Sequence, residues 1–240
     1  MHTDLQPRNI LLGVEDESIL ADFEKEERCN PSPRKINSDY TIYTSRELGI
    51  PKQHGRPVLS EFGEARFGQQ DYDSHIQPYP YRAPEVILQT RWDSKVDIWN
   101  FGMLAWDLFE NKHLFNARNE EGEESSLHRL AEMVAILGPP PEHFLNRTEA
   151  SSQYFTADGQ YSLLVEIGHE IDVTYKGEWK GCVEIPTISL ETSQQNLEGD
   201  SQSSFLQSMK NILQWNPEER KSAKGLLEDP WLKGTESSTW

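Results

Sequence analysis

The stretch Ser94–Phe109 constrains the fold more than any other. Val96, Ile98, Trp99, Phe101, Met103, Leu104, Trp106, Leu108 and Phe109 are apolar and fall on every side of a helical wheel. A helix of that composition has no face suited to water and is expected to be buried all round. Ser94 is placed to cap its N-terminus. Wrapping such a rod takes several further apolar elements, and 240 residues at 35% apolar content with seven tryptophans supply them. A mean hydropathy of −0.72 adds long polar loops around that core.

Helical spacing predicts more helices at 16–28 (Ile19, Leu20 and Phe23, with Asp16 as cap), 127–137, 205–215 and 222–227. Asn30-Pro31-Ser32-Pro33 and Gly138-Pro139-Pro140-Pro141 stop two of them. Asn9–Leu12 and Arg56–Ser60 read as short strands able to pair. Thr41–Thr44 reads as a weaker one, Asp158-Gly159 as a turn, and Ile185–Leu190 as extended chain. A featureless loop between the first two strands would be unusually long, so the insert 15–55 is expected to carry structure or to be partly disordered. The fold class is mainly α (α+β), with one domain over 1–233 and a flexible tail over 234–240.

A net charge of −17 argues against direct nucleic-acid or anionic-membrane binding. It suits a basic protein partner, or simply solubility. Cys29 and Cys182 lack metal-ligand spacing and read as free thiols of an intracellular protein, in cytoplasm or nucleus. No apolar run reaches the length of a membrane span and no signal peptide precedes the first motif, so a soluble chain is expected.

Several motifs carry chemistry. His2-Thr3-Asp4-Leu5-Gln6-Pro7-Arg8-Asn9 sets an aspartate and an asparagine five residues apart, ahead of a strand. Glu61-Phe62-Gly63 follows, then Tyr81-Arg82-Ala83-Pro84-Glu85, then Asp97 at the head of the apolar rod, then Asn216-Pro217-Glu218-Glu219-Arg220. In this order and spacing they resemble the C-terminal lobe of a eukaryotic serine/threonine protein kinase. Within that superfamily the chain is most similar to the SR-protein kinases. The basis is His2-Thr3-Asp4, Tyr79–Glu85, Lys95 to Phe115 and Leu137-Gly138-Pro139-Pro140. The resemblance runs from Met1 to about Leu232.

That resemblance implies a protein-kinase-like fold and transfer of the γ-phosphoryl group of ATP to serine in Arg/Ser-rich proteins. Asp4 would accept the hydroxyl proton, and Asn9 and Glu61 would hold magnesium. Asp4 also reads as an ordinary turn residue, and Glu61 as purely structural. Gln6 stands where the family has lysine: it keeps a donor but loses the charge, so stabilisation of the developing phosphoryl charge should fall. Glu61 replaces an aspartate and moves the carboxylate outward by one methylene. Thr3 replaces the arginine that in many kinases reads a phosphorylated activation segment. The resemblance also implies that Asp97 binds the backbone of the Asp4 loop and that Glu85 pairs with Arg220. Tyr79, Tyr81 and Arg82 would lie against the residue after the phosphoacceptor, although core packing explains the tyrosines as well.

The glycine-rich loop, strand lysine and helix glutamate of the family do not appear in the sequence. A truncated chain, or one needing a partner over an uncovered face of the rod, is therefore expected. Two functions stay open: an enzyme impaired as it stands, or a catalytically inactive module binding basic or Arg/Ser-rich proteins.

Overall fold

The computed structural model describes residues 1–49, 54–68, 72–155, 179 and 183–234. The anticipated Asp158-Gly159 turn, Cys182 and the tail beyond Gly234 lie outside them. The described chain forms two compact units, Met1–Pro7 with Glu61 onward, and Arg8–Ser60.

The smaller unit begins with β1 (Ile10–Val14) and α1 (Ser18–Cys29), continues through β2 (Arg34–Ile36) and β3 (Thr41–Tyr43), and ends in β4 (His54–Leu59). β1 and β4 pair antiparallel, Ile10 opposite Leu59 and Leu12 opposite Pro57, with an irregularity between Leu12 and Val14. Glycine is required there: a Cβ on Gly55 would sit 2.8–2.9 Å from the backbone of Gly13. β2 and β3 form a second antiparallel pair, so the insert carries structure among its described residues. α1 begins two residues later than the spacing suggested. Its Glu17 N-cap makes no side-chain cap bond, while Asp16 Oδ1 accepts from Ser18 N–H at 3.0 Å. No residue of α1 is buried. Its end is tied back through Glu27, which accepts from Ser32 N–H (2.8 Å) and Oγ (2.6 Å) and pairs with Arg46 at 3.1 Å.

The larger unit is helical and built around α3 (Lys95–Glu110), preceded by α2 (Pro84–Ile87). Val96, Trp99, Met103 and Trp106 are fully buried, but Leu108 is 69% exposed and Phe101 and Phe109 are only partly covered. The expectation of burial on every side is corrected at these residues. The wheel shows where apolar groups lie, not what tertiary neighbour each one meets. The cap is corrected as well: Ser94 makes no side-chain cap bond, and Asp93 Oδ1 accepts from Lys95 N–H at 2.8 Å.

Around α3 lie α4 (Ser126–Leu137), α5 (Glu142–Leu145), α6 (Leu190–Ser193), α7 (Gly199–Ile212), α8 (Ala223–Leu226) and α9 (Pro230–Gly234). α7 starts six residues before the predicted Phe205. The expected extended run ends in α6, which Ser189 and Thr192 cap reciprocally. α3 and α7 meet closely at Gly102, where a Cβ would lie 2.6 Å from Ile212 Cγ2. Trp106 stacks on Phe205, and Phe205 packs against Trp231 at 4.9 Å between ring centres. Trp92, Trp99, Trp106, Trp215 and Trp231 are all core residues, as their size and apolar character suggested.

Candidate functional site

The Asp4 loop is held by the first turn of α3. Asp97 Oδ2 accepts from His2 N–H at 2.7 Å and Oδ1 from Thr3 N–H at 2.8 Å. Two N–H groups shared by one carboxylate fix the loop's path strongly, because hydrogen bonds to an ionised acceptor are about twice as strong as neutral ones. One turn along α3, Asn100 donates to Leu5 C=O at 3.3 Å. Thr3 is 1% exposed and lies at φ 65°, left-handed backbone that a β-branched residue seldom adopts. Its hydroxyl donates to Glu64 C=O at 2.8 Å, and Arg66 N–H donates to Met1 C=O at 3.0 Å. The His2 ring stands edge-on to Phe62, 5.2 Å between centres. The Phe62–Glu64 turn is therefore fastened along the Asp4 loop.

Asp4 is half-buried, its N–H directed at His2 Nδ1 (3.3 Å). Gln6 is buried and donates from Nε2 to Asp4 Oδ1. The amide that stands in the lysine's place thus addresses the aspartate itself. Glu61 is exposed and, like Thr3, left-handed at φ 62°. Asn9 is buried and belongs to the smaller unit, where its carbonyl accepts from Ser60 N–H (2.9 Å) and Oγ (3.0 Å).

The segment leading to Ala83-Pro84-Glu85 is anchored from several directions. Tyr79 and Tyr81 are buried, so packing accounts for both rings. The single Tyr79 O–H has the carbonyls of Ala117 and Ser125 both within reach as acceptors, and burial pushes its pKa up. Arg129 is fully buried and donates to the carbonyls of Phe115 (2.6 Å), Pro80 (2.9 Å) and Arg82 (3.1 Å). Its guanidinium lies over the Tyr79 ring at 5.1 Å, and burial drives its pKa down to about 9. Glu85 and Arg220 form the expected ion pair, bidentate at 2.6 Å on both arms and wholly buried.

Two contributors went unnoticed in the sequence. Gln77, buried and left-handed at φ 69°, donates to Val96 C=O (3.0 Å) and to Asn100 Oδ1, and accepts from Ala83 N–H at 2.8 Å. With Asn100 it joins the carbonyl next to Asp4 to the Ala83 backbone. Asn100 did leave a signal, as a lone carboxamide in an apolar rod; Gln77 left none. Among the described residues no group of three or more His, Cys, Asp or Glu side chains could hold a metal ion. Nor is any described helix long and apolar enough to cross a membrane.

The sequence profile of the protein kinase domain matches residues 50–232. A serine/threonine protein kinase of Aspergillus fumigatus is 46% identical over 220 residues, covering 90% of this chain and 51% of that protein. The probable serine/threonine-protein kinase sky1 of Dictyostelium discoideum is 28% identical over 194 residues, 81% of this chain and 27% of that one. The serine/threonine-protein kinase SRPK of Physarum polycephalum is 26% identical over 255 residues, 97% of this chain and 55% of that one. The chain spans about half the length, or less, of these relatives.

Proposed function

This chain belongs to the protein kinase family, and on that premise we propose that it transfers the γ-phosphoryl group of ATP to serine in Arg/Ser-rich proteins. The observation that supports this best is the pair of hydrogen bonds that the His2 and Thr3 N–H groups donate to the Asp97 carboxylate, which holds the Asp4 loop in a defined path. Asp4, half-buried, is the base that takes the proton of the attacking hydroxyl. Gln6 orients that carboxylate through its amide but supplies no positive charge to the transferred group, so the reaction runs more slowly than with lysine.

Taken singly, the Asn9 carboxamide oxygen and the exposed Glu61 carboxylate are hard donors of the kind that would hold magnesium, which is commonly bound by one or two carboxylates plus substrate phosphates rather than by an all-protein cage. When bound it supplies neutralisation of the charge on the nucleotide's phosphates. The longer reach of Glu61 makes this hold looser than an aspartate would. The net charge of −17, which complements a basic peptide, and the similarity to the Physarum protein named SRPK support the reading of an Arg/Ser-rich substrate.

The contact of Gln6 with Asp4 favours a second reading, a non-catalytic module that binds the same basic proteins. Transfer of labelled γ-phosphate to an Arg/Ser peptide, measured for the wild-type chain and for Asp4→Ala, separates the two. Label found with wild type and lost in the variant supports transfer by Asp4. Equal label in both overturns it, and peptide binding without label from either leaves the binding module.

A further inference from the structure

Asp97 and Asn100 stand one turn apart on the same side of α3 and grip the Asp4 loop on both sides of the aspartate. Asp97 takes the N–H groups of His2 and Thr3, ahead of Asp4. Asn100 Nδ2 donates to Leu5 C=O, behind it. Asn100 is fully buried. The terminal torsion of a carboxamide is broad and roughly two-fold, so the grip on Leu5 is definite only if a neighbour fixes that amide. The neighbour is Gln77.

The two side chains form a directed chain of hydrogen bonds. Ala83 N–H donates to Gln77 Oε1 at 2.8 Å. Gln77 Nε2 donates to Asn100 Oδ1 and to Val96 C=O (3.0 Å), and Asn100 Nδ2 donates to Leu5 C=O at 3.3 Å. Ala83 offers a donor at one end and Leu5 an acceptor at the other. Each amide therefore has one orientation that satisfies its partners, and every side-chain nitrogen and oxygen of the pair is used. Turning either amide would set oxygen against oxygen in a buried site, where the lost bond is not replaced by water. Head-to-tail bonds of this kind also polarise one another. Gln77 holds left-handed backbone at φ 69°, uncommon for a residue with a side chain. Such strain persists where the surroundings over-determine it, and it clusters at functional sites. Arg82 reaches back to Gln77 C=O at 3.3–3.4 Å, so main chain and side chain of Gln77 are both tied to the Arg82-Ala83 step.

On the reading that Asp4 is the base of the proposed transfer, we propose that Gln77 is its positioning residue, acting through Asn100. Gln77 fixes the Asn100 amide, and that amide fixes the Leu5 carbonyl. The Leu5–Gln6 peptide in turn sets where the Asp4 and Gln6 side chains meet. The start of Ala83-Pro84-Glu85 is thereby held in register with the base. All of these residues belong to the larger unit.

The test compares Gln77→Met, Asn100→Ala and the double variant with wild type, all as the whole chain. Nuclear magnetic resonance follows the Leu5 carbonyl carbon and the Gln6 amide, which share one peptide group. In Gln77→Met, which touches neither, both resonances are expected to move in the same direction as in Asn100→Ala, while the His2 and Thr3 amides held by Asp97 stay in place. In transfer of labelled γ-phosphate to an Arg/Ser peptide, kcat should fall by up to about 100-fold in each single variant and no further in the double. KM for the peptide should move only in Gln77→Met, which also gives up the bond to Ala83. Gln77→Gly, suited to left-handed backbone, makes the same cut if the methionine variant fails to fold. Leu5 and Gln6 resonances left at their wild-type positions in the Gln77 variants would overturn the positioning role. So would additive losses in the double variant, or a loss in Asn100→Ala carried by KM alone. A wild-type chain that transfers no label overturns the transfer reading instead, and the Leu5 and Gln6 resonances then decide by themselves whether Gln77 holds the Asp4 loop.

Discussion

Replacing Glu85 with glutamine keeps the side chain's shape and removes its charge. Arg220 then remains with both its Glu85 contacts altered, at a position where neither side chain has any exposed surface. Its remaining partners are Gln214 C=O (2.9 Å), Lys95 C=O (3.1 Å), Trp215 C=O (3.5 Å) and the face of Trp99, 5.0 Å from the guanidinium carbon. They satisfy its donors but do not neutralise it. Stranding one member of a buried pair costs about 3–5 kcal/mol. In a chain of this size each 1 kcal/mol lowers Tm by about 2–4 °C, so Glu85→Gln should melt roughly 6–20 °C below wild type. Thermal melts followed by far-ultraviolet circular dichroism and tryptophan fluorescence measure this directly. The double variant Glu85→Leu with Arg220→Met should lose less than Glu85→Gln, because it leaves no buried charge. A Glu85→Gln melt within about 1 kcal/mol of wild type would refute the reasoning, since it would mean that the guanidinium is solvated.

Asp97→Asn keeps one acceptor oxygen and turns an amide toward a backbone N–H. It should cost about 1.5–3 kcal/mol in urea unfolding and, under the proposed function, lower the transfer rate as the Asp4 loop loses order. Gly102→Ala drives a methyl into Ile212 and Leu213 across the α3–α7 crossing and should cost about 1–3 kcal/mol by the same measurement. Asp229 gives a pH prediction. Burial raises its pKa, but Lys221, Ser208 and the Trp231 N–H outweigh burial, and the net shift is downward. A carboxyl depressed in the folded state adds stability above its unfolded pKa of about 3.9 and loses it as pH falls through the folded value. Asp229→Asn should therefore narrow the stability gap between about pH 5 and about pH 2 in acid titrations of the melt.

What the sequence disclosed follows a physical line. Asp97, Glu85 and Arg220 were legible because each stands in a recognisable motif and a second motif of the chain supplies its partner. α3 was legible because its composition admits no other solution, yet the exposure of Leu108 was not: a wheel assigns a face to each residue but no neighbour to any face. The first turns of α7 were invisible for the opposite reason. Gly199 to Ser204 has no apolar period to read, and Ser203 and Ser204 bond back to the carbonyls of Gly199 and Asp200. β2 left no clean alternation because all three of its residues are exposed. At the site, Gln6 was read as a donor toward phosphate, whereas in the fold Asp4 receives it. Gln77 joins partners 6 to 23 residues away with no motif to mark it.

Thr3 carries an instruction for anyone evolving this chain. Its dihedral favours glycine or asparagine, whereas the hydroxyl reaching Glu64 favours serine or threonine. No amino acid meets both demands at no cost. Libraries randomised at this position should therefore return few survivors, and the winners will trade backbone comfort against the tether rather than improve both.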